Sequence, residues 1–158
     1  MAFLKIRNGK INFCCKAQNC RHSCCGPFNG ISKELCSIEN RPFDEIVLTD
    51  EDYLIICENG HFDLVEEAYS EIAQRHYYRM ALEADGTCKA WKNGRCSIHE
   101  YNPTLCQAFP FYFDMFSGLC AIECEGFSDD NWSDLDDHKA SIEKAKKMYE
   151  FWLDFYSK

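Results

Sequence analysis

The sequence predicts a small α+β domain spanning residues 1–158, with irregular cysteine-rich loops, a short antiparallel β element and about three helices. Three observations carry that expectation. Twelve cysteines occur in 158 residues, and six of them crowd between positions 13 and 36 beside Gly26, Pro27, Asn29 and Gly30, a composition that favours loop over regular structure. The central stretch "HYYRMALEADGTCKAWKNGRCSI" alternates as strands do and carries two turn dipeptides, Asp85-Gly86 and Asn93-Gly94. The C-terminal stretch places Leu135, Ile142, Ala145, Tyr149, Trp152 and Tyr156 at three-, four- and seven-residue spacings, the signature of one apolar helix face.

A chain of this length suits one domain with one modest core, since domains cluster near ~100–150 residues. Taken in order, Ile46 to Leu48 reads as a short apolar strand. Thr49 follows as a helix N-cap, with Asp50, Glu51 and Asp52 on the first turn and Gly60 as the stop. A second helix is expected from Asp63 to about Gln74, burying Leu64, Ala68 and Ile72. Antiparallel strands come next, around the two turn dipeptides. Asn102-Pro103 has the N-cap and N1 chemistry of a short helix that carries Cys106 one turn inside, before Pro110 ends it. The last helix is expected over 133–156, its aromatic stripe read as core packing and the acidic run before it as a solvated helix start.

Seventeen basic against 26 acidic residues give a net charge of −9, which repels phosphate backbones, so nucleic acid is not expected as a partner. The N-terminal "MAFLKIRNGKINF" interleaves Lys5, Arg7, Asn8 and Lys10 with apolar residues and lacks the continuous hydrophobic region of an export signal. The longest purely apolar run, "YLIIC", falls far short of the ~20 residues that span a bilayer. The expected location is therefore cytoplasmic, without a membrane partner. In a reducing cytosol, thiols stay free unless something binds them, which favours metal ligation or catalysis over a disulfide framework.

The cysteines outside helical runs fall into three groups: Cys14, Cys15, Cys20, Cys24 and Cys25; Cys88, Cys96 and Cys106; Cys120 and Cys124. Closed thiolate sites need four ligands per metal or cluster. No single group supplies a clean four, so a site has to be assembled across groups, and the fold would then be organised around that thiolate metal site. Cys24 and Cys25 are adjacent, and neighbouring side chains in extended chain point to opposite faces. They more easily serve two neighbouring sites, or one binds while the other packs. Cys57, inside an apolar helical run, reads as a small buried hydrophobe; Cys36 is balanced between the two roles. His22 and His99 lie near candidate ligands but read as surface or hydrogen-bonding residues, and His61, His76 and His138 carry no spacing signal.

The blocks "CRHSCCG", "IVLTDEDY", "GTCKAWKNGRCSIHEYNPTLCQAFPF" and "CEGF", in that order between residues 20 and 127, resemble the YkgJ-type cysteine-cluster family, described as zinc- or iron-chelating domains and often labelled iron–sulfur proteins. The third block is the most specific. The resemblance carries ligand roles to Cys20, Cys24, Cys25, Cys88, Cys96, Cys106 and Cys124. Its first cysteine has no partner at the family spacing, a place that Cys15 or Cys14 can take; with Cys15 the set reaches eight, enough for two four-thiolate sites. The family's Arg-Pro is Asn102-Pro103 here, and the arginine after the third cysteine of that block is Gln107. All-sulfur ligation suits zinc and an iron–sulfur cluster alike, and the family label together with the surplus of thiols leans toward the cluster.

The expected function is thus a metal-binding protein that holds an iron–sulfur cluster or zinc for structure, electron transfer or metal handling. A distant resemblance of the family to flagellin lysine methylases leaves open a protein-modifying or redox enzyme, which needs an open metal position or a reactive thiol such as Cys14, Cys36 or Cys120. A disulfide-stapled interaction protein is the third reading. No glycine-rich phosphate loop, G-x-S-x-G or H-E-x-x-H motif supports a nucleotide-binding or hydrolytic site. A protein partner is an open possibility through "FPFYF" (Phe109 to Phe113), for which core packing is the competing use.

Overall fold

The structure, a computed structural model, describes residues 4–15, 45–122 and 124–157. In chain order the described elements are β1 (Ile6–Arg7), β2 (Lys10–Ile11), β3 (Val47–Leu48), α1 (Asp50–Glu58), β4 (Val65–Ser70), β5 (Arg75–Met80), β6 (Trp91–Lys92), β7 (Arg95–Cys96), α2 (Thr104–Ala108), β8 (Phe111–Asp114), β9 (Gly118–Ala121), β10 (Ser133–Asp134) and α3 (Lys139–Ser157). All strand pairings among them are antiparallel, in sheets of order β1-β2-β10, β3-β5-β4, β6-β7 and β8-β9. Among the described residues the molecule is thus α+β, with three α-helices and several short antiparallel sheets, as expected.

The strand at Val47–Leu48 and the helix after it form as the sequence indicates. Thr49 caps α1 reciprocally: its hydroxyl accepts from the Asp52 N–H at 3.1 Å, and the Asp52 carboxylate accepts from the Thr49 N–H at 3.1 Å. Two of the helix's orphan donors are satisfied in this way. Gly60 at φ +85° turns the chain out of the helix, a conformation that costs glycine little.

The helix expected over 63–74 does not form. Phe62–Leu64 is a single 3₁₀ turn, and Val65 opens β4, which pairs along its length with β5 from Val65↔Met80 to Ser70↔Arg75. Leu64, Ala68 and Ile72 share a helical spacing by coincidence, and Ile72 stands 64% exposed in the hairpin loop. Strand pairing overrides the local preference because β5 offers partners that a helix could not use. Arg79 Nε donates to Glu66 across the strands at 2.7 Å, and His76 Nδ1 lies 3.1 Å from Glu67. Ser70 Oγ accepts from the Ala73 N–H at 3.1 Å and closes the loop.

The sheet β3-β5-β4 is covered on both faces. Alternate residues Leu48, Tyr78, Met80 and Val65 meet Ile56 of α1 in one core cluster. Val47, Tyr77 and Ala68 meet Phe155, Phe151 and Trp152 of α3 in another. Full burial of a side chain such as Phe155, at 3% exposure, contributes about 1.5–3 kcal/mol. Half a helix away, Ala145 and Ile142 pack with Ile11, Phe13, Ala108, Phe111 and Ala121. The aromatic stripe is therefore core, and so is Phe111 of the "FPFYF" segment, whose ring meets Phe13 edge-on at 5.6 Å.

The last helix starts later than its spacing suggests. Ser133 and Asp134 form β10 against β2, Leu135–His138 is a 3₁₀ turn, and α3 proper begins at Lys139. An edge strand is available there: Leu135 N–H donates to Gly9 O at 2.9 Å, and Lys10 pairs with Asp134 at 3.4 Å. Ser133 Oγ donates to Phe13 O and lies 2.7 Å from His138 Nε2. These contacts fasten the segment before the helix to the N-terminal hairpin.

Candidate functional site

Two groups of sequence-predicted ligands fall within the described residues. Cys88 sits at the end of a tight turn. There Gly86 adopts φ +89°, Asp85 accepts from the Thr87 N–H at 2.9 Å, and Leu82 and Cys88 form an isolated bridge. The Cys88 carbonyl accepts from Trp91 N–H at 3.0 Å. Trp91 in turn faces Cys96 across the β6-β7 hairpin. The two central residues of that hairpin, Asn93 and Gly94, have φ of +54° and +77°, the left-handed pair that an Asn-Gly hairpin turn requires. The turn chemistry read from the sequence thus brings Cys88 and Cys96 to the same end of one small β unit.

Cys106 reaches this unit from α2. The helix starts one residue later than expected: Pro103 remains extended at ψ 148°, and Thr104 is the first helical residue. The reason lies in another part of the chain. Asp52 Oδ2 accepts from the Thr104 N–H at 3.1 Å, and its Oδ1 accepts from the Thr104 hydroxyl at 2.9 Å. Asn102 gives no side-chain cap; its carbonyl instead accepts from Gln107 Nε2 at 2.7 Å. Cys88 is buried within the cluster formed by Ile46, Leu48, Ile56, Met80, Ala90 and Ile98, and Cys96 and Cys106 pack half-buried against it. Three thiols from separate elements thus share one apolar setting, in which a thiolate is costly unless a cation or hydrogen bonds compensate it.

The second group joins the N-terminal hairpin to the late "CEGF" block. Phe13 bridges Phe127, Cys14 N–H donates to Gly126 O at 3.0 Å, and Ser128 N–H donates to Asn12 O at 3.1 Å. Phe127 N–H closes a turn onto Cys124 O at 3.1 Å. Cys15, exposed, and Cys124, half-buried, consequently lie on backbone segments paired side by side. Gly126 permits the approach, since a Cβ there would stand 2.5 Å from the Phe13 ring and 2.7 Å from Cys14 O. Cys124 packs against the cluster that contains Ala108, the last residue of α2. The five-residue α2 therefore has Cys106 at one core cluster and Ala108 at the other.

Cys120 is buried on β9 opposite Tyr112, and burial, with the Asp114 charge second, pushes its pKa up. That makes it a poor nucleophile. Cys57, expected to be buried, is half-buried on α1, and its thiol, one turn from Tyr53, pushes the Tyr53 pKa up. Tyr53 stacks on Tyr78 at 3.7 Å. Of the histidines, His99 is exposed and His61 stacks on Tyr101 at 6.0 Å. Cys20, Cys24, Cys25, Cys36 and His22 lie outside the described residues.

Among the described residues, no group of three or more His, Cys, Asp or Glu side chains is placed to hold a metal ion. No helix among them is long and apolar enough to cross a membrane. The residue that sequence reading passed over is Asp52, 8% exposed and read there only as a first-turn acid. The Thr49-to-Asp52 capping-box spacing was its only local signal. Comparison with protein-family models, curated proteins and solved structures finds no match for the chain.

Proposed function

We propose that this is a metal-binding protein of the YkgJ type, holding an iron–sulfur cluster or zinc through cysteine thiolates drawn from distant segments, in a reducing, cytoplasmic setting. The ligands are Cys88, Cys96 and Cys106 around one core cluster, Cys15 and Cys124 at the paired N-terminal and late segments, and Cys20, Cys24 and Cys25 from the stretch between β2 and β3. The observation that supports the reading is that Cys88, Cys96 and Cys106, from a turn, a hairpin and a helix, all pack on one apolar cluster, where the three do not by themselves form a metal-holding group. Such thiols are suited to soft metals, which convert a costly buried thiolate into a bonded one. A site closed by four thiolates has no open position for substrate, so its roles are structure, electron transfer or metal handling.

Purification without oxygen, followed by elemental analysis and an absorption spectrum, tests this. Brown protein with stoichiometric iron and sulfide identifies a cluster; colourless protein with stoichiometric zinc identifies the other metal. Alanine at Cys88, Cys96 or Cys106 is expected to lower the metal content and destabilise the fold together. Metal-free protein that folds equally well with all three replaced refutes the proposal. Thiols that become titratable only with reductant, and not with chelator, replace it with the disulfide-stapled reading.

A further inference from the structure

Asp52 is a buried carboxylate that serves two helices at once. Its own N–H and carboxylate complete the Thr49 capping box at the start of α1. The same carboxylate takes both the N–H and the hydroxyl of Thr104, the first residue of α2. It therefore accepts three hydrogen bonds, from donors on two segments about fifty positions apart. Pro103 has no N–H, and no side chain adjoining α2 caps the helix. With five residues, α2 is also far too short to hold its own shape, since isolated helices below ~12–15 residues are marginal. Its position is set from outside, by packing against α3 and by the Asp52 contact at its first residue. Cys106 lies two residues beyond Thr104, within the single turn that this contact orients.

We infer that Asp52 is a positioning residue for Cys106: it locks the first turn of α2 onto the start of α1 and so fixes where the Cys106 thiol stands relative to Cys88 and Cys96. The inference rests on the metal-binding reading for what Cys106 does, while the lock itself is a property of the polypeptide. Asp52→Asn keeps the shape but removes the charge: with its oxygen toward the Thr49 and Thr104 N–H groups, its NH₂ faces the Thr104 hydroxyl, which turns from donor to acceptor, and the charge-assisted bonds become weaker neutral ones.

The test pairs two measurements on the full chain: alkylation of each cysteine in the metal-free protein, read by mass spectrometry, and the thiolate-to-metal absorption band after loading with the metal found in the wild-type protein. Asp52→Asn is expected to raise Cys106 alkylation about tenfold, the shift in an opening equilibrium that losing the charge assistance of buried hydrogen bonds brings, while Cys120 on β9 keeps its rate. The absorption band weakens or shifts. Thr104→Val, which removes only the hydroxyl donor, has the same effect at smaller size, and Thr104→Ser restores wild-type behaviour. A Cys106 rate unchanged in both Asp52→Asn and Thr104→Val overturns the inference, as does an equal rise at Cys120, the mark of general unfolding. Wild-type protein that takes up neither metal overturns the metal reading instead, and the alkylation pattern then decides the lock independently.

Discussion

The replacement Gly126→Ala tests the clasp between the N-terminal hairpin and the "CEGF" block. A Cβ at this position would lie 2.5 Å from Phe13 Cε2, 2.9 Å from Phe13 Cδ2 and 2.7 Å from Cys14 O. Real Cβ contacts do not come so close, so something has to move. Two of the three atoms belong to a ring packed against Phe111 and Phe127, and the third is a backbone carbonyl that cannot swing aside. Overpacking of this kind costs about 1–3 kcal/mol. Separating the strands also weakens the Cys14 N–H to Gly126 O bond, a further loss of about 1 kcal/mol. The sum, about 2–4 kcal/mol, lowers the melting temperature of a chain this size by roughly 5–15 °C. Urea denaturation measures the stability change, and alkylation of Cys14 against Cys120 reports whether the loss is local to the clasp. Gly118→Ala is the control: that glycine sits at φ +73° with open space around it, so its cost is confined to about 1–2 kcal/mol of backbone strain. A Gly126→Ala protein as stable as wild type, or one in which Cys14 stays as protected as before, refutes the argument that close backbone approach at Gly126 clasps the N-terminal hairpin to the late segment.

Two other outcomes can be checked with ordinary equipment. The Ser117 and Phe116 N–H groups both donate to Asp114 Oδ1 at the β8-β9 turn and hold its carboxyl below the usual carboxylate range. A lowered folded-state pKa contributes order that is complete at neutral pH and is lost as pH falls through that pKa, below about 4. The amide resonances of Ser117 and Phe116 are therefore expected to shift together in that window, and Asp114→Asn to remove the transition; unshifted amides down to about pH 2 would contradict the bond pattern. Arg79 joins Glu45 at 2.8 Å and Glu66 at 2.7 Å across the sheet edge. Because Glu45 is the more enclosed partner, at 17% exposure against 43%, Arg79→Met, which leaves Glu45 with only its Tyr77 hydroxyl donor among the bonds described, is expected to cost about 1–3 kcal/mol, whereas Glu66→Gln costs about 0.2–1 kcal/mol. Equal losses in urea melts would count against that ordering.

Some of this protein is written locally. The Thr49 cap, the acidic first turn of α1, the Asn93-Gly94 hairpin and the apolar stripe of α3 each depend on residues within a few positions of one another, so spacing and residue type suffice. The grouping of Cys88, Cys96 and Cys106 is partly of this kind, because the turn that joins the first two is encoded between them. Other features need a partner that the linear order does not reveal. Residues 65–70 carry a helix-like spacing and become a strand because β5 lies alongside. Residues 133–134 leave the helical pattern because β2 offers an edge. Helix α2 begins at Thr104 because Asp52 holds it there, and Cys14 pairs with Gly126 because that glycine lets two backbones touch. Sequence alone determined the elements whose hydrogen bonds and apolar contacts close within a turn or a hairpin. The tertiary structure decided those whose donors and acceptors are satisfied only by a distant segment, since a buried polar group takes the partner that folding brings to it.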